Sequence, residues 1–125
     1  MLVEDFYKIT GLESRENLIV GEIQLNPEHP LYRGHFPQQA VVPGVMQIQI
    51  IKELMEAALV STMMIKEVIV AKYLRLITPF ETSELQIQID YKSTETGEYL
   101  ANAVVSKGET TFSKVKLKLS ESSLQ

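Results

Sequence analysis

Hydrophobic and polar residues alternate along much of this chain, and the period of the alternation predicts its elements. Leu85, Ile87 and Ile89 are apolar, with polar residues between them, and a period of two is typical of a half-buried strand. Other apolar segments bounded by turn residues predict further strands. We expect strands at Leu18–Leu25, Glu67–Ile77, Glu84–Tyr91, Tyr99–Ser106 and Thr111–Leu119.

The chain before Leu18 lacks a clear period. Asp5–Thr10 is either a short strand or an irregular lead-in, and the polar segment Gly11–Asn17 predicts a turn. The two prolines of Asn26–Pro30 exclude both helix and strand ladder there. The strand Leu18–Leu25 should therefore end before Asn26.

A long apolar segment from Gly44 or Val45 to about Ser61 predicts the only long helix. Its polar residues form one narrow line with helical spacing, made of Gln49, Lys52, Glu53 and Glu56. A helix this apolar should be mostly buried, as if wrapped by a sheet. Gln47 lies on the side opposite the polar line, and we expect a buried amide that needs hydrogen-bond partners.

The order of these elements predicts the fold class. Thr96–Glu98 and Lys107–Glu109 each contain a glycine where a hairpin turn should lie. The chain then reads as two or so strands, one long buried helix and four strands in a meander. We expect an α+β fold in which one curved antiparallel sheet surrounds a helix, with residues 1–125 forming a single domain.

Composition and charge exclude several kinds of site and partner. The 125 residues contain no cysteine, which excludes disulfides and thiolate metal sites. His29 and His35 lack acidic residues at ligand spacing, so we expect no metal. The net charge of -4 argues against nucleic acid as a partner. No leader-like N-terminus and no apolar stretch of about 18 residues is present, so we expect a cytoplasmic protein without a membrane span.

One short segment carries most of the candidate chemistry. It runs from Gly34-His35-Phe36-Pro37 to Pro43-Gly44-Val45, just before the predicted helix. Histidine is the side chain best suited to moving protons near neutral pH. The start of a helix beyond a glycine offers unpaired N–H groups to a carbonyl oxygen. A proton-transfer base and an oxyanion donor together suit chemistry alpha to a carbonyl.

These residues resemble the 3-hydroxyacyl-ACP dehydratases of type II fatty acid synthesis, where ACP is the acyl carrier protein. The similar segments are Asn26–Pro37, Val42–Met46 and Lys72–Phe80. The resemblance implies a hot-dog fold, in which a curved antiparallel sheet wraps a central helix. It also implies a hydro-lyase that converts an ACP-bound 3-hydroxyacyl thioester to its trans-2-enoyl form.

The resemblance assigns roles to individual residues. His35 matches the histidine that removes the proton from C2, and Gly44 matches the glycine whose amide binds the thioester carbonyl. Substrate contacts are implied for the residues beside them, namely Phe36, Pro43, Val45 and Met46. No metal or diffusible cofactor is implied, since the substrate arrives on the phosphopantetheine of ACP.

Gln49 departs from the family pattern. The dehydratases carry Glu or Asp fourteen positions after the histidine, and Gln49 occupies that position here. A carboxyl group can protonate the departing 3-hydroxyl, whereas an amide can only hydrogen-bond to it. Gln49 is therefore expected to position a hydroxyl or a water, unless it merely begins a solvated polar line. Glu53 lies one turn further along the same face, about 5.4 Å away.

Three functions remain open at this point. The first is dehydration with His35, Gly44 and Gln49 in the roles above. The second is hydrolysis of an acyl thioester, for which hot-dog enzymes usually employ a carboxylate. The third is a non-catalytic subunit that binds acyl-ACP without its acid. The resemblance also implies a homodimer or higher homo-oligomer, and a heteromeric partner could supply the missing Glu or Asp.

Overall fold

The computed structural model describes residues 5–32 and 40–122 of the chain. Its strands are β1 (Tyr7–Arg15), β2 (Leu18–Leu25), β3 (Met63–Tyr73), β4 (Glu84–Ser93), β5 (Glu98–Lys107) and β6 (Thr110–Glu121). The helix α1 spans Gly44–Leu59, and a 3-10 turn spans Pro30–Tyr32. The predicted helix and the strand at Leu18–Leu25 are thus confirmed.

The six strands form one antiparallel sheet in the order β1-β2-β4-β5-β6-β3. The strands β4, β5 and β6 are a meander, and β3 lies at the sheet edge beside β6. The prediction of a four-strand meander was wrong for β3. Residues 74–83 connect β3 to β4 across the sheet, and alternation within a strand says nothing about which strand lies next to it.

The predicted turn at Gly11–Asn17 was also wrong, because β1 continues to Arg15. Gly11 to Arg15 pair with Glu22 to Leu18 of β2, after an irregularity between Ile9 and Gly11. Most of this segment is exposed, since β1 is an edge strand, and its polar composition therefore resembles that of a turn. The actual turn is Glu16-Asn17, with Glu16 at a φ of 45°.

Apolar side chains from the sheet and from α1 share one core. Ile87 and Ile89 of β4 are buried, and so are Ile51 and Leu54 of α1. Gly21 of β2 allows the sheet to approach the helix, since a Cβ there would lie 2.9 Å from Leu54 Cδ2. This close contact brings the second half of α1 directly against β2.

The segment between β3 and β4 fixes the chain that enters the helix. Ile77 was predicted to end a strand, but β3 ends at Tyr73. Ile77 is instead a buried core residue, and its carbonyl accepts a hydrogen bond from Val42 N at 2.9 Å. The apolar pattern extends to Ile77 because this residue is buried although it lies outside a strand. Its hydrogen bond also holds Val42 directly before the helix.

Candidate active site

The N-terminus of α1 is set by Pro43, which lies in an extended conformation with φ -62° and ψ 151°. Its carbonyl accepts hydrogen bonds from Met46 N and Gln47 N, both at 3.1 Å. Proline has no N–H of its own and favours the start of a helix. No side chain of the described residues caps this end of the helix.

Gly44 opens the helix, as the sequence predicted. Neither its N–H nor that of Val45 donates to another group within residues 5–32 and 40–122. Free first-turn N–H groups and the partial positive charge of a helix N-terminus both favour an oxygen that carries developing negative charge. The backbone at Gly44 therefore has the properties of an oxyanion donor.

The ring of Tyr73 lies against Gly44. A Cβ at position 44 would come within 2.5 Å of Tyr73 Cζ and 2.6 Å of its Oη, closer than non-bonded atoms approach. Glycine is thus required here by space, since α1 and the end of β3 meet at this residue. Partial burial raises the pKa of Tyr73, so the phenol beside the helix N-terminus stays protonated.

Gln49 lies on α1, just over one turn beyond Gly44, and makes a specific contact. Its Nε2 donates a hydrogen bond to Glu53 Oε2 at 2.8 Å. The other carboxyl oxygen, Glu53 Oε1, accepts a hydrogen bond from the Tyr7 hydroxyl at 2.9 Å. Helix and edge strand are thereby joined through a chain of three polar side chains, Gln49, Glu53 and Tyr7.

Two of these three side chains are buried almost completely. Tyr7 is 1% exposed and Glu53 is 2% exposed. Burial, together with the hydrogen bond and the negative charge of Glu53, raises the pKa of Tyr7 far above its usual range. Tyr7 therefore keeps its proton and acts as a donor to the carboxyl group.

A cleft of about 710 Å³ lies over this group, between β1 and the outer face of α1. Gln49, Glu53 and Tyr7 contribute to its wall, together with Lys52 and Glu56. Lys52 Nζ and Glu56 Oε2 are 3.5 Å apart on the helix surface. The polar line predicted on the helix is thus a cleft wall with one buried acid, and only part of it is a solvated surface.

The predicted site residues have different outcomes. His35 and Phe36 lie outside the described residues. Pro43 and Gly44 form the start of α1, as above. In the first turn, Val45 is 73% exposed and Met46 packs against the core, and their substrate contacts stay predictions.

Sequence reasoning identified Gln49 and named Glu53 one turn away, but it missed Tyr7. The helical spacing of Gln49 and Glu53 already permits a contact between them. Tyr7, by contrast, is 46 positions from Glu53, and no local pattern connects them. Only the folded arrangement of β1 beside α1 brings its hydroxyl to the carboxyl group.

The buried amide expected at Gln47 is confirmed. Gln47 Nε2 donates to the carbonyl of Val42 at 3.2 Å, and Gln47 Oε1 accepts from Ser113 Oγ at 2.5 Å. This residue therefore ties α1 to β6 and to the chain before the helix. Its polar atoms are used structurally.

A six-stranded antiparallel sheet packed on one long helix is the architecture of a hot-dog protein. The family model described as ApeI-like, ApeI dehydratase, matches residues 12–115. The chain therefore belongs to the ApeI-like dehydratase family.

Solved structures with the same fold accompany this family match. The dehydratase heterocomplex ApeI:P from Xenorhabdus doucetiae aligns with a TM-score of 0.70 at 21% identity, over 90% of this chain and 96% of that chain. An uncharacterised protein from Erwinia carotovora subsp. atroseptica aligns at 0.64 and 20%, over 90% and 92%. A thioesterase from Staphylococcus aureus subsp. aureus Mu50 aligns at 0.67 and 9%, over 96% and 97%. These likenesses show the hot-dog fold.

A search of the curated proteins found no match. In the described part of the chain, no helix has the length and apolar character needed to cross a bilayer. Within the same residues, no group of three or more His, Asp or Glu side chains is arranged to hold a metal ion.

Proposed function

We propose that this protein removes water from a 3-hydroxyacyl thioester carried on the phosphopantetheine of ACP and forms the trans-2-enoyl thioester. Membership of the ApeI-like dehydratase family supports a hydro-lyase. The observation that carries the proposal is the start of α1, where the N–H groups of Gly44 and Val45 donate to no group among the described residues and can bind a thioester carbonyl. The His35 motif in the sequence supplies the base.

The proposed reaction uses one base and one oxyanion donor. His35 takes the proton from C2, while negative charge that develops on the thioester oxygen is stabilised by the Gly44 N–H. The electron pair of the C2–H bond forms the double bond as the C3–O bond breaks. The departing hydroxyl receives the proton that His35 removed and leaves as water. An oxyanion donor is worth about 3–4 kcal/mol in enzymes where one has been deleted.

Gln49 has a positioning role in this proposal. An amide cannot supply a proton, but its oxygen can accept a hydrogen bond from the 3-hydroxyl of the substrate. That contact would hold the C3–O bond in one orientation for elimination. The absence of a carboxyl group at this position should make the reaction slower than in family members that carry the acid, because general acid catalysis contributes about 10²–10⁴-fold.

Hydrolysis of the thioester is the second candidate, since Glu53 brings a carboxyl group to the cleft wall. A hydrolase of this fold would use such a group to activate water. Both Glu53 oxygens, however, accept hydrogen bonds from Tyr7 and Gln49, and Glu53 is buried. These contacts favour dehydration over hydrolysis. A subunit that binds acyl-ACP without turning it over is the third possibility.

The proposal includes a second copy of the chain. β3 is an edge strand, and it exposes Met64, Val68, Ile69 and Val70. Apolar edge strands favour pairing with another chain. The ApeI dehydratase of Xenorhabdus doucetiae forms a heterocomplex, so a different subunit that carries an acid is the alternative occupant of this edge.

Product analysis separates these functions. Purified protein is incubated with a short 3-hydroxyacyl-ACP and, in parallel, with the trans-2-enoyl-ACP, and the intact masses are followed. We expect loss of water from the first and gain of water by the second, with neither reaction in the His35→Ala variant. Release of the free ACP thiol would establish a hydrolase instead. Binding of acyl-ACP without any conversion would establish a non-catalytic subunit.

A further inference from the structure

The contacts of Gln49 determine which end of its amide a ligand meets. Each carboxyl oxygen of Glu53 accepts a hydrogen bond, Oε1 from the Tyr7 hydroxyl and Oε2 from the Gln49 amide nitrogen. The Gln49 nitrogen therefore faces Glu53, at 2.8 Å. The amide oxygen is the end that remains for a molecule in the cleft, where Gln49 forms part of the wall.

Glu53 is itself held in place from the sheet. The Tyr7 hydroxyl donates to Glu53 Oε1 at 2.9 Å, and Tyr7 pairs with Leu25 in the ladder between β1 and β2. Because the tyrosine is buried and belongs to a strand, its hydroxyl has little freedom to move. The carboxyl group is thus fixed by an element other than the helix that carries it.

We propose that Glu53 and Tyr7 are positioning residues that hold Gln49 with its amide oxygen toward the substrate. Glu53 accepts from both neighbours, and Gln49 Oε1 then accepts from the 3-hydroxyl. The hydroxyl oxygen keeps its lone pairs free for the proton that comes from His35. A freely rotating amide would present its nitrogen part of the time and would compete for those lone pairs. This inference rests on the proposed dehydration.

The alternative is that Tyr7 and Glu53 only fasten β1 to α1. Removing one partner alone would leave a buried polar group unsatisfied and would confuse the two roles. The variant Tyr7→Phe/Glu53→Met therefore removes both at once, since replacing both partners by apolar groups of similar shape can be nearly neutral for folding. Thermal unfolding verifies that the variant is folded.

The decisive measurement is kcat for dehydration by this double variant, made both in the wild-type background and in Gln49→Ala. If the pair acts through Gln49, kcat falls about tenfold in the wild-type background, as expected for the loss of one oriented hydrogen bond. It falls no further in the Gln49→Ala background, since the effects of coupled residues are not additive. KM changes little. Equal falls in both backgrounds would overturn the proposal in favour of a structural role.

Two matched variants control for the chemistry of the substitutions. Glu121→Gln changes a carboxyl group outside the cleft, one that accepts a hydrogen bond from the Tyr99 hydroxyl at 3.0 Å. Tyr91→Phe removes a tyrosine hydroxyl that donates to the carbonyl of Glu16 at 2.9 Å. Both should retain the wild-type kcat. A tenfold loss of kcat in either control would mean that the assay responds to any change in side-chain hydrogen bonding, and the proposal would be refuted.

A second readout does not require turnover. The side-chain amide protons of Gln49, assigned in ¹H–¹⁵N spectra by their loss in Gln49→Ala, should be protected from exchange in the wild type. They should exchange at the rate of a free amide in Tyr7→Phe/Glu53→Met. Identical exchange in both proteins would overturn the positioning claim. If the wild type shows the protected amide but no dehydration, the orientation holds and the proposed function is the part that fails.

Discussion

At the scale of single residues, this protein buries polar side chains in hydrogen-bonded groups that join different elements. Gln47 joins α1 to Ser113 of β6, and Glu53 joins α1 to Tyr7 of β1. A buried polar atom that loses its partner costs more free energy than the bond itself contributes. These groups should therefore fix the helix in one position relative to the sheet.

Ser113→Ala should lower the free energy of unfolding by about 1–3 kcal/mol, because Gln47 Oε1 would then be buried without its donor. Chemical denaturation measures the change. Ser120→Ala, on the same strand, is the matched control: Ser120 is half-buried and its hydroxyl bonds to no other described residue. The interpretation fails if the two variants are equally stable.

The sequence predicted part of the residue-scale picture. The different environments of Gln47 and Gln49 could be predicted, because helical spacing places the two residues on different faces of α1. The hydrogen bond between Tyr7 and Glu53 could not be predicted, since it joins two elements that are distant along the chain. The loop with His35, predicted from its motif alone, lies outside the described residues, so its role stays a prediction.

At the scale of elements, the residues at the two ends of α1 differ in how well they suit their positions. Gly44 at its start is required by the neighbouring Tyr73 ring. Val60 at its end has a left-handed conformation, with φ 50° and ψ 54°, and its N–H donates to the carbonyl of Glu56. Valine rarely adopts this conformation, which at the ends of helices is usually occupied by glycine.

Val60→Gly should raise the free energy of unfolding by about 1 kcal/mol, because a left-handed conformation costs about 1–2 kcal/mol for a residue with a Cβ. Val60 is 89% exposed, so little packing is lost. Val60→Ala retains the Cβ and should change stability much less. A Val60→Gly variant no more stable than Val60→Ala in thermal unfolding would contradict this account.

Element boundaries show where sequence patterns fail. The central strands were predicted well, since one face of each is buried and alternation follows directly. The edge strands β1 and β3 were misplaced, because the segment Leu12–Arg15 is exposed and Ile77 is buried without being in a strand. The pattern of apolar residues indicates which residues are buried. It locates a strand correctly only where the buried residues belong to that strand.

At the scale of the whole molecule, the two edges of the sheet differ in character. β3 exposes Val68, Ile69 and Val70 in succession, whereas the exposed part of β1 is mostly polar. An apolar row on an unpaired edge favours association. We therefore expect two copies of the chain to meet at β3.

Light scattering after size exclusion should give a homodimer for the wild type and a monomer for Val70→Lys, because a lysine on an edge strand opposes pairing. Leu12→Lys is the matched control: it makes the same change at a residue 38% exposed on β1, compared with 39% for Val70. That variant should stay dimeric. A monomeric wild type, or loss of the dimer in both variants, would refute β3 as the interface.

The central claim is that a dehydratase can work with an amide at the acid position, and one comparison tests it most directly. It is the rate of water loss from a short 3-hydroxyacyl-ACP with the wild type, His35→Ala and Gln49→Glu. We predict slow elimination by the wild type and none with His35→Ala. Gln49→Glu should be faster, since the new carboxyl group can protonate the departing hydroxyl. Elimination only in Gln49→Glu, with none in the wild type, would contradict the account.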